Sequence, residues 1–283
     1  MTKTPVSSSP AIVNDNKALH IIHSLEQDFP SSDGLLKIIT VQGLFVPLAL
    51  RSRYDGKPPA RNGYNTLRMF FLKGVIFMKA LLINGSPHEH GCTFIALSEV
   101  ESVLKKHGIE TEMFWIGVKP IAGCIACGNC HKTGKCFQQD KVNEVIGRLD
   151  SIDAMVIGSP VYYAGPAGQL TAFLDRLFYA GGADMAGKLG AAVVSCRRGG
   201  ATAAFDRLNK YFTISNMPVV SSQYWNQVHG MTPDDVKKDK EGLQIMRTLG
   251  ENMAWLLRCI EAGRKAGVPA PVYEPWIATN FIE

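Results

Sequence analysis

Four cysteines, Cys124, Cys127, Cys130 and Cys136, fall within 13 residues in the pattern C-x2-C-x2-C-x5-C. Four thiolates in one short loop can close around an iron–sulfur cluster, and the C-x2-C-x2-C opening is that of the bacterial ferredoxin run. Structural zinc more often takes its ligands as two separated pairs. Thiols this close can also stay free and exchange electrons as a redox couple. Gly128 and Gly134 supply the sharp turns that such a loop requires. A [4Fe–4S] cluster, redox-active thiols and zinc therefore stay open. A brown protein with about four irons and four labile sulfides per chain selects the first, and a yellow, iron-free one removes it.

A second group of residues suits an anion and a flat ring. The segment Asn84-Gly-Ser-Pro-His-Glu-His-Gly-Cys-Thr93 lies between an apolar run and a helical pattern. A helix amino terminus offers unpaired N–H groups and a favourable dipole to a phosphate, and Gly85 and Gly91 let the backbone come close. Ser86 and Thr93 add hydroxyl donors, although such residues before a helix also serve as plain N-caps. Further along, Gly158-Ser-Pro-Val-Tyr-Tyr-Ala-Gly-Pro-Ala-Gly168 offers Tyr162 and Tyr163 as stacking surfaces for a heteroaromatic ring, or as ordinary half-buried aromatics. A third loop is Ser195-Cys-Arg-Arg-Gly-Gly200.

The elements that must hold these loops alternate regularly from Met78 onward. Strand patterns are expected at 79–84, 110–115, 154–158, 189–195 and 217–221, and helical patterns at 93–107, 141–149, 168–179, 201–212 and 233–265, the last with a break near Gly242. Strands apolar on both faces and separated by helices predict a parallel α/β sheet covered on both sides. In such sheets ligands bind beyond the carboxyl ends of strands, where all three loops fall.

Gly-Ser-Pro-x-x-x-Gly-x-Thr after the first strand, with Ser-Pro-Val-Tyr-Tyr and Gly-Gln-Leu…Phe-Leu-Asp-Arg after the third, resembles the NADPH-dependent FMN reductase group of flavodoxin-like proteins. The cysteine spacing is similar to that of the iron–sulfur flavoproteins, a branch of the same group that holds a [4Fe–4S] cluster near FMN. The resemblance covers about residues 78–265. It implies a flavodoxin-like, doubly wound, five-stranded parallel sheet of order 2-1-3-4-5. It further implies FMN, with the phosphate held at Ser86, His88, Gly91, Cys92 and Thr93, the ring against Pro160, Val161, Tyr162 and Tyr163, and Ser195, Arg197, Gly199 and Gly200 flanking it. His88 stands where the family often has Arg, and Cys92 where it often has Asn. The implied activity is that of an FMN-dependent oxidoreductase, with Cys124, Cys127, Cys130 and Cys136 as cluster ligands, NAD(P)H or ferredoxin as electron donor, and a homodimer or tetramer as the assembly. The alternative is a flavodoxin-like electron carrier or redox sensor without a cluster. It would oxidise NAD(P)H negligibly unless a protein partner were added.

Composition narrows the field. The 283 residues are 46% hydrophobic, enough for a buried core, and carry a formal net charge of +5. Residues 1–77 hold nine Lys/Arg against five Asp/Glu, and the remainder 21 against 20, so the patterned region is close to neutral and gives no support to nucleic-acid binding. No apolar run is long enough to cross a bilayer, no export signal opens the chain, and a cytoplasmic protein without a disulfide framework is expected.

Residues 1–77 are read either as a partner-binding extension or as sequence ahead of the natural start. The second is favoured, because Met78 opens the first strand and Lys73-Gly74-Val75 is what an in-frame ribosome-binding sequence would encode. Peptides from before Met78 in a mass spectrum would overturn it. This segment is expected to pack poorly. Residues 268–283 are expected to form an extended tail that docks through Trp276 and Phe281. Cys196 and Cys259 are expected to be buried small hydrophobes, and Arg197 either a surface ion-pair residue or a ligand of flavin or nicotinamide phosphate.

Overall fold

The computed structural model describes residues 78–275, residues 277 and 279, and the backbone of two strands, Lys37–Val41 and Leu44–Leu48, which pair antiparallel. The chain divides between Lys73 and Gly74 into two units. The expected poor packing of residues 1–77 lies outside the described residues, as do Trp276 and Phe281.

The second unit runs β1 (Lys79–Asn84), α1 (Cys92–Lys106), β2 (Glu110–Trp115), α2 (Asn129–Thr133), α3 (Lys141–Ile146), β3 (Ala154–Tyr162), β4 (Gly165–Pro166), α4 (Gly168–Gly181), β5 (Leu189–Cys196), α5 (Ala201–Ile214), β6 (Gln227–His229), α6 (Pro233–Lys238) and α7 (Lys240–Lys265). The parallel strands lie in the order β2-β1-β3-β5-β6, which is the expected 2-1-3-4-5 path. β1 and β5 are apolar and buried almost throughout because helices cover both faces. One core cluster packs Leu81, Ile83, Met155 and Ile157 under α4 and α5. The other packs Leu82, Val156 and Val193 under α1 and α7.

Three local expectations are corrected or refined. The fifth strand is Gln227–His229, whereas residues 217–221 make only a single bridge, Val219 to Gly190. Pro218 has no N–H to donate, so that segment cannot propagate a ladder, and the pairing resumes beside Val194. The break expected near Gly242 is placed more closely, at Asp239, because the Asp239 carboxylate accepts from the Gly242 N–H at 2.9 Å and starts a new helix there. The third strand runs on past Gly158 to Tyr162 and folds back through β4. Tyr163 and Ala164 have φ of 48° and 60°, the left-handed pair that a two-residue hairpin requires. Neither is glycine, so this turn stores strain at a loop tip beside the carboxyl ends of the strands.

Candidate functional site

The loop after β1 is built from its own side chains. Asn84, the last residue of the strand, accepts from the Ser86 N–H at 3.0 Å through its amide oxygen and donates to the Glu89 carbonyl at 2.8 Å. The Ser86 hydroxyl accepts from the His88 N–H at 3.1 Å, and the Ser86 carbonyl accepts from the Trp115 indole at 2.8 Å. The loop ends on Gly91, the N-cap of α1, which has no side-chain cap and no acidic residue in its first turn. Ser86 and Thr93 are thus not N-caps, and the first N–H groups of α1 have no side chain turned back on them. Buried Thr93 pairs hydroxyl to hydroxyl with buried Ser195 at 2.9 Å, joining the first loop to the third.

The second loop meets both neighbours. The Gly85 N–H donates to the Gly158 carbonyl at 2.9 Å, and the buried Ser159 hydroxyl accepts from the Ala167 N–H at 2.9 Å. Gly200, at φ 83°, caps α5, and a Cβ there would sit 3.0 Å from Ala164 Cα and 3.1 Å from Val161, so the third loop comes this close only as glycine. A shallow cleft between the first two loops is lined by Gly85, Pro87, Tyr162, Ala167, Gly168 and Gln169. Tyr163 is wholly exposed, so it is no half-buried packing residue, whereas Tyr162, at 47% exposure, is half-covered. Pro160 and Val161 are partly buried, while His88, Arg197 and Gly199 are exposed. Cys92 is half-buried with its thiol 3.8 Å from the Gly230 carbonyl, and burial pushes that thiol up. Cys196 is buried as expected, but Cys259 is exposed on α7, a correction to its reading as a core residue.

The cysteine segment has a different construction. Ala126 and Gly128 adopt left-handed conformations on one side of the five-residue helix α2, and Gly134 on the other, so the chain doubles back twice. Cys124, Cys127, Cys130 and Cys136 line one open pocket, together with Arg176, Tyr179 and Ala180 of α4. Cys124 and Cys127 are exposed, Cys136 is partly covered and Cys130 is buried with its thiol 3.9 Å from the Tyr179 carbonyl. The four are unpaired thiols, and among the described residues no three His, Cys, Asp or Glu side chains close on a single-ion site.

Three residues brace the segment. Asn143 accepts from the Cys136 N–H at 2.9 Å and donates to the Cys136 carbonyl at 2.8 Å. Arg176, whose side chain is 1% exposed, donates to both carboxylate oxygens of Asp140, at 2.6 and 2.9 Å, and to the Ala122 and Gln138 carbonyls. Its Nε donates to Cys136 Sγ at 3.2 Å. Burial disfavours the guanidinium charge, but the bonds to Asp140 and Cys136 outweigh it and hold the group above its ordinary range. The Gln169 amide donates to the Gly117 carbonyl at 2.7 Å, tying α4 to the start of the same segment.

Trp115, Asp140 and Asn143 were not among the residues singled out from sequence, and Asn84, Gln169 and Arg176 stood there only inside motifs, with no role of their own. Asn84 carries a signal, since Asn at a strand end folds back on the chain two residues on. So does Arg176: an arginine one turn beyond Phe173, on the apolar stripe of a helix, needs a buried partner. Trp115 and Asn143 carry none, because their partners are distant or irregular backbone.

Residues 78–231 match the family described as NADPH-dependent FMN reductase. The chain belongs to that family. It is accordingly a flavin-dependent oxidoreductase of flavodoxin-like fold with FMN as its cofactor. An iron–sulfur flavoprotein of Methanocaldococcus jannaschii is 32% identical over 192 residues, 65% of this chain and 100% of that one. An iron–sulfur flavoprotein of Methanosarcina thermophila is 28% identical over 192 residues, 66% of this chain and 99% of that one. Among solved structures, RosB with a bound riboflavin-5'-phosphate derivative aligns with a TM-score of 0.51 and 14% identity over 73% of this chain and 96% of that one, a likeness of fold.

Proposed function

We propose that this oxidoreductase passes electrons between FMN and a [4Fe–4S] cluster held by Cys124, Cys127, Cys130 and Cys136. The observation that carries the reading is the placement of α4: Gly168 and Gln169 at its start line the flavin cleft, while Arg176, Tyr179 and Ala180 line the cysteine pocket. Arg176 lies seven helical steps beyond Gln169, a rise of about 10 Å. Four thiols line one pocket, and their C-x2-C-x2-C run, rather than two separated pairs, favours a cluster over zinc.

Bound FMN supplies two-electron exchange at its ring and one-electron exchange toward the cluster. The uncapped N–H groups at the start of α1, with Ser86, His88, Gly91, Cys92 and Thr93, fit its phosphate. Exposed Tyr162 and Tyr163, with Pro160 and Val161, fit the ring, and Ser195, Arg197, Gly199 and Gly200 flank it. NAD(P)H is the proposed donor to the flavin, and ferredoxin or a like protein exchanges electrons with the cluster. A homodimer or tetramer in the cytoplasm belongs to the same reading. Among the described residues no helix is long and apolar enough to cross a membrane.

The test is a visible spectrum with iron and sulfide analysis on anaerobically purified protein. About four irons and four sulfides beside FMN are expected. Flavin without iron rejects the cluster and leaves the oxidoreductase.

A further inference from the structure

We propose that Arg176 is a positioning residue for Cys136, holding its sulfur as an oriented, hydrogen-bonded ligand and thereby raising the reduction potential of the cluster. This rests on the cluster assignment proposed above.

Cys136 is held differently from the other three. Its backbone is gripped on both sides by Asn143, and its sulfur receives Arg176 Nε at 3.2 Å. Cys124 accepts from the backbone N–H of Ala126 at 3.4 Å, with no side-chain donor among the described residues. The other guanidinium nitrogens are committed to Asp140, Ala122 and Gln138, so the Nε–H has a fixed direction. A guanidinium buried at this cost in desolvation is kept in place by a bidentate carboxylate, which fixes geometry as well as charge. Adding an electron to a cluster makes its sulfurs more negative. A hydrogen bond from a buried cation to one of them therefore favours the reduced state, and hydrogen bonds to sulfur are among the terms that set such potentials. Arg176 is also the one arginine that lines the pocket among the described residues.

The experiment uses the full chain loaded anaerobically with iron and sulfide. Wild-type protein labelled with guanidino-15N arginine, studied by pulsed EPR with the cluster reduced, should show a 15N coupling to the cluster. Arg176→Lys keeps the charge but loses the fork. It should shift the cluster potential downward while leaving the FMN potential unchanged. A purely structural role would lower iron content or stability with neither signature. Iron-loaded wild type without the 15N coupling overturns the role of Arg176 alone, and so does an Arg176→Lys protein with full iron and an unmoved potential. Wild type that takes up no iron overturns the cluster and this role together. If Arg176→Lys does not fold, the wild-type coupling decides.

Discussion

The loop after β1, proposed to hold the FMN phosphate, and the cysteine segment, proposed to hold a cluster, are braced in contrasting ways. The first is locked largely by neighbours in sequence: Asn84, Ser86 and His88 hold one another within five residues, Trp115 and Gly158 add one bond each from other strands, and the loop ends on an uncapped helix. The second has left-handed turns and two exposed cysteines, and is anchored from outside by Arg176, 40 residues from Cys136. A phosphate asks for backbone N–H groups, which local turns can aim. A cluster asks for four sulfurs from an irregular segment, and a remote helix must hold that segment down. On the proposed assignment, the loop after β1 should keep its structure without a cluster, while the cysteine segment should depend on both the cluster and its brace.

The largest expected effect tests that independence directly. Cys127→Ser should reduce iron from about four per chain to near none while FMN stays bound at wild-type stoichiometry. Joint loss of iron and flavin would show that the two regions form one unit. Next, Asp140→Ala removes the partner of buried Arg176 and the N-cap of α3, and should cost about 3 kcal/mol in urea unfolding of the full chain. A loss below about 1 kcal/mol would mean that the brace carries little of the fold's stability.

On the flavin side, Gly158→Ala places a Cβ 2.7 Å from Leu97 and 2.8 Å from Thr93, in the packed layer between β3 and α1. It should cost about 2 kcal/mol and weaken FMN binding with it, read by unfolding and flavin titration. Trp115→Phe removes only the indole bond to the Ser86 carbonyl and should cost about 1 kcal/mol, or roughly fivefold in FMN affinity, with iron content unchanged. An unchanged affinity would show that the loop is set without Trp115. The smallest effect has the opposite sign. Ala164→Gly relieves a left-handed residue at the tip of the β3–β4 turn and should raise stability by about 0.5 kcal/mol, measured by thermal unfolding.

Much of this was legible in sequence because it is local. Strand runs flanked by helical spacing gave the parallel sheet, and glycines with hydroxyl residues marked a loop at the carboxyl end of the first strand. The reading failed where segments compete or strain is tolerated. Residues 217–221 look as strand-like as β6, yet Pro218 limits them to one bridge. Tyr163 and Ala164 form a hairpin turn without the Asn or Gly that normally announces one. Cys259 follows the burial habit of its residue type in sequence but faces outward on α7.

By itself, the sequence determined the class of fold, the three loops at the carboxyl ends of the strands and the four cysteines in one segment, since each follows from periodicity or spacing over a few residues. Only the tertiary structure decided that Thr93 meets Ser195, 102 residues away, that Gly200 closes on Ala164, and that Arg176 reaches Cys136. Such contacts depend on how layers stack, and a buried polar group takes whichever partner the packing brings within hydrogen-bond distance.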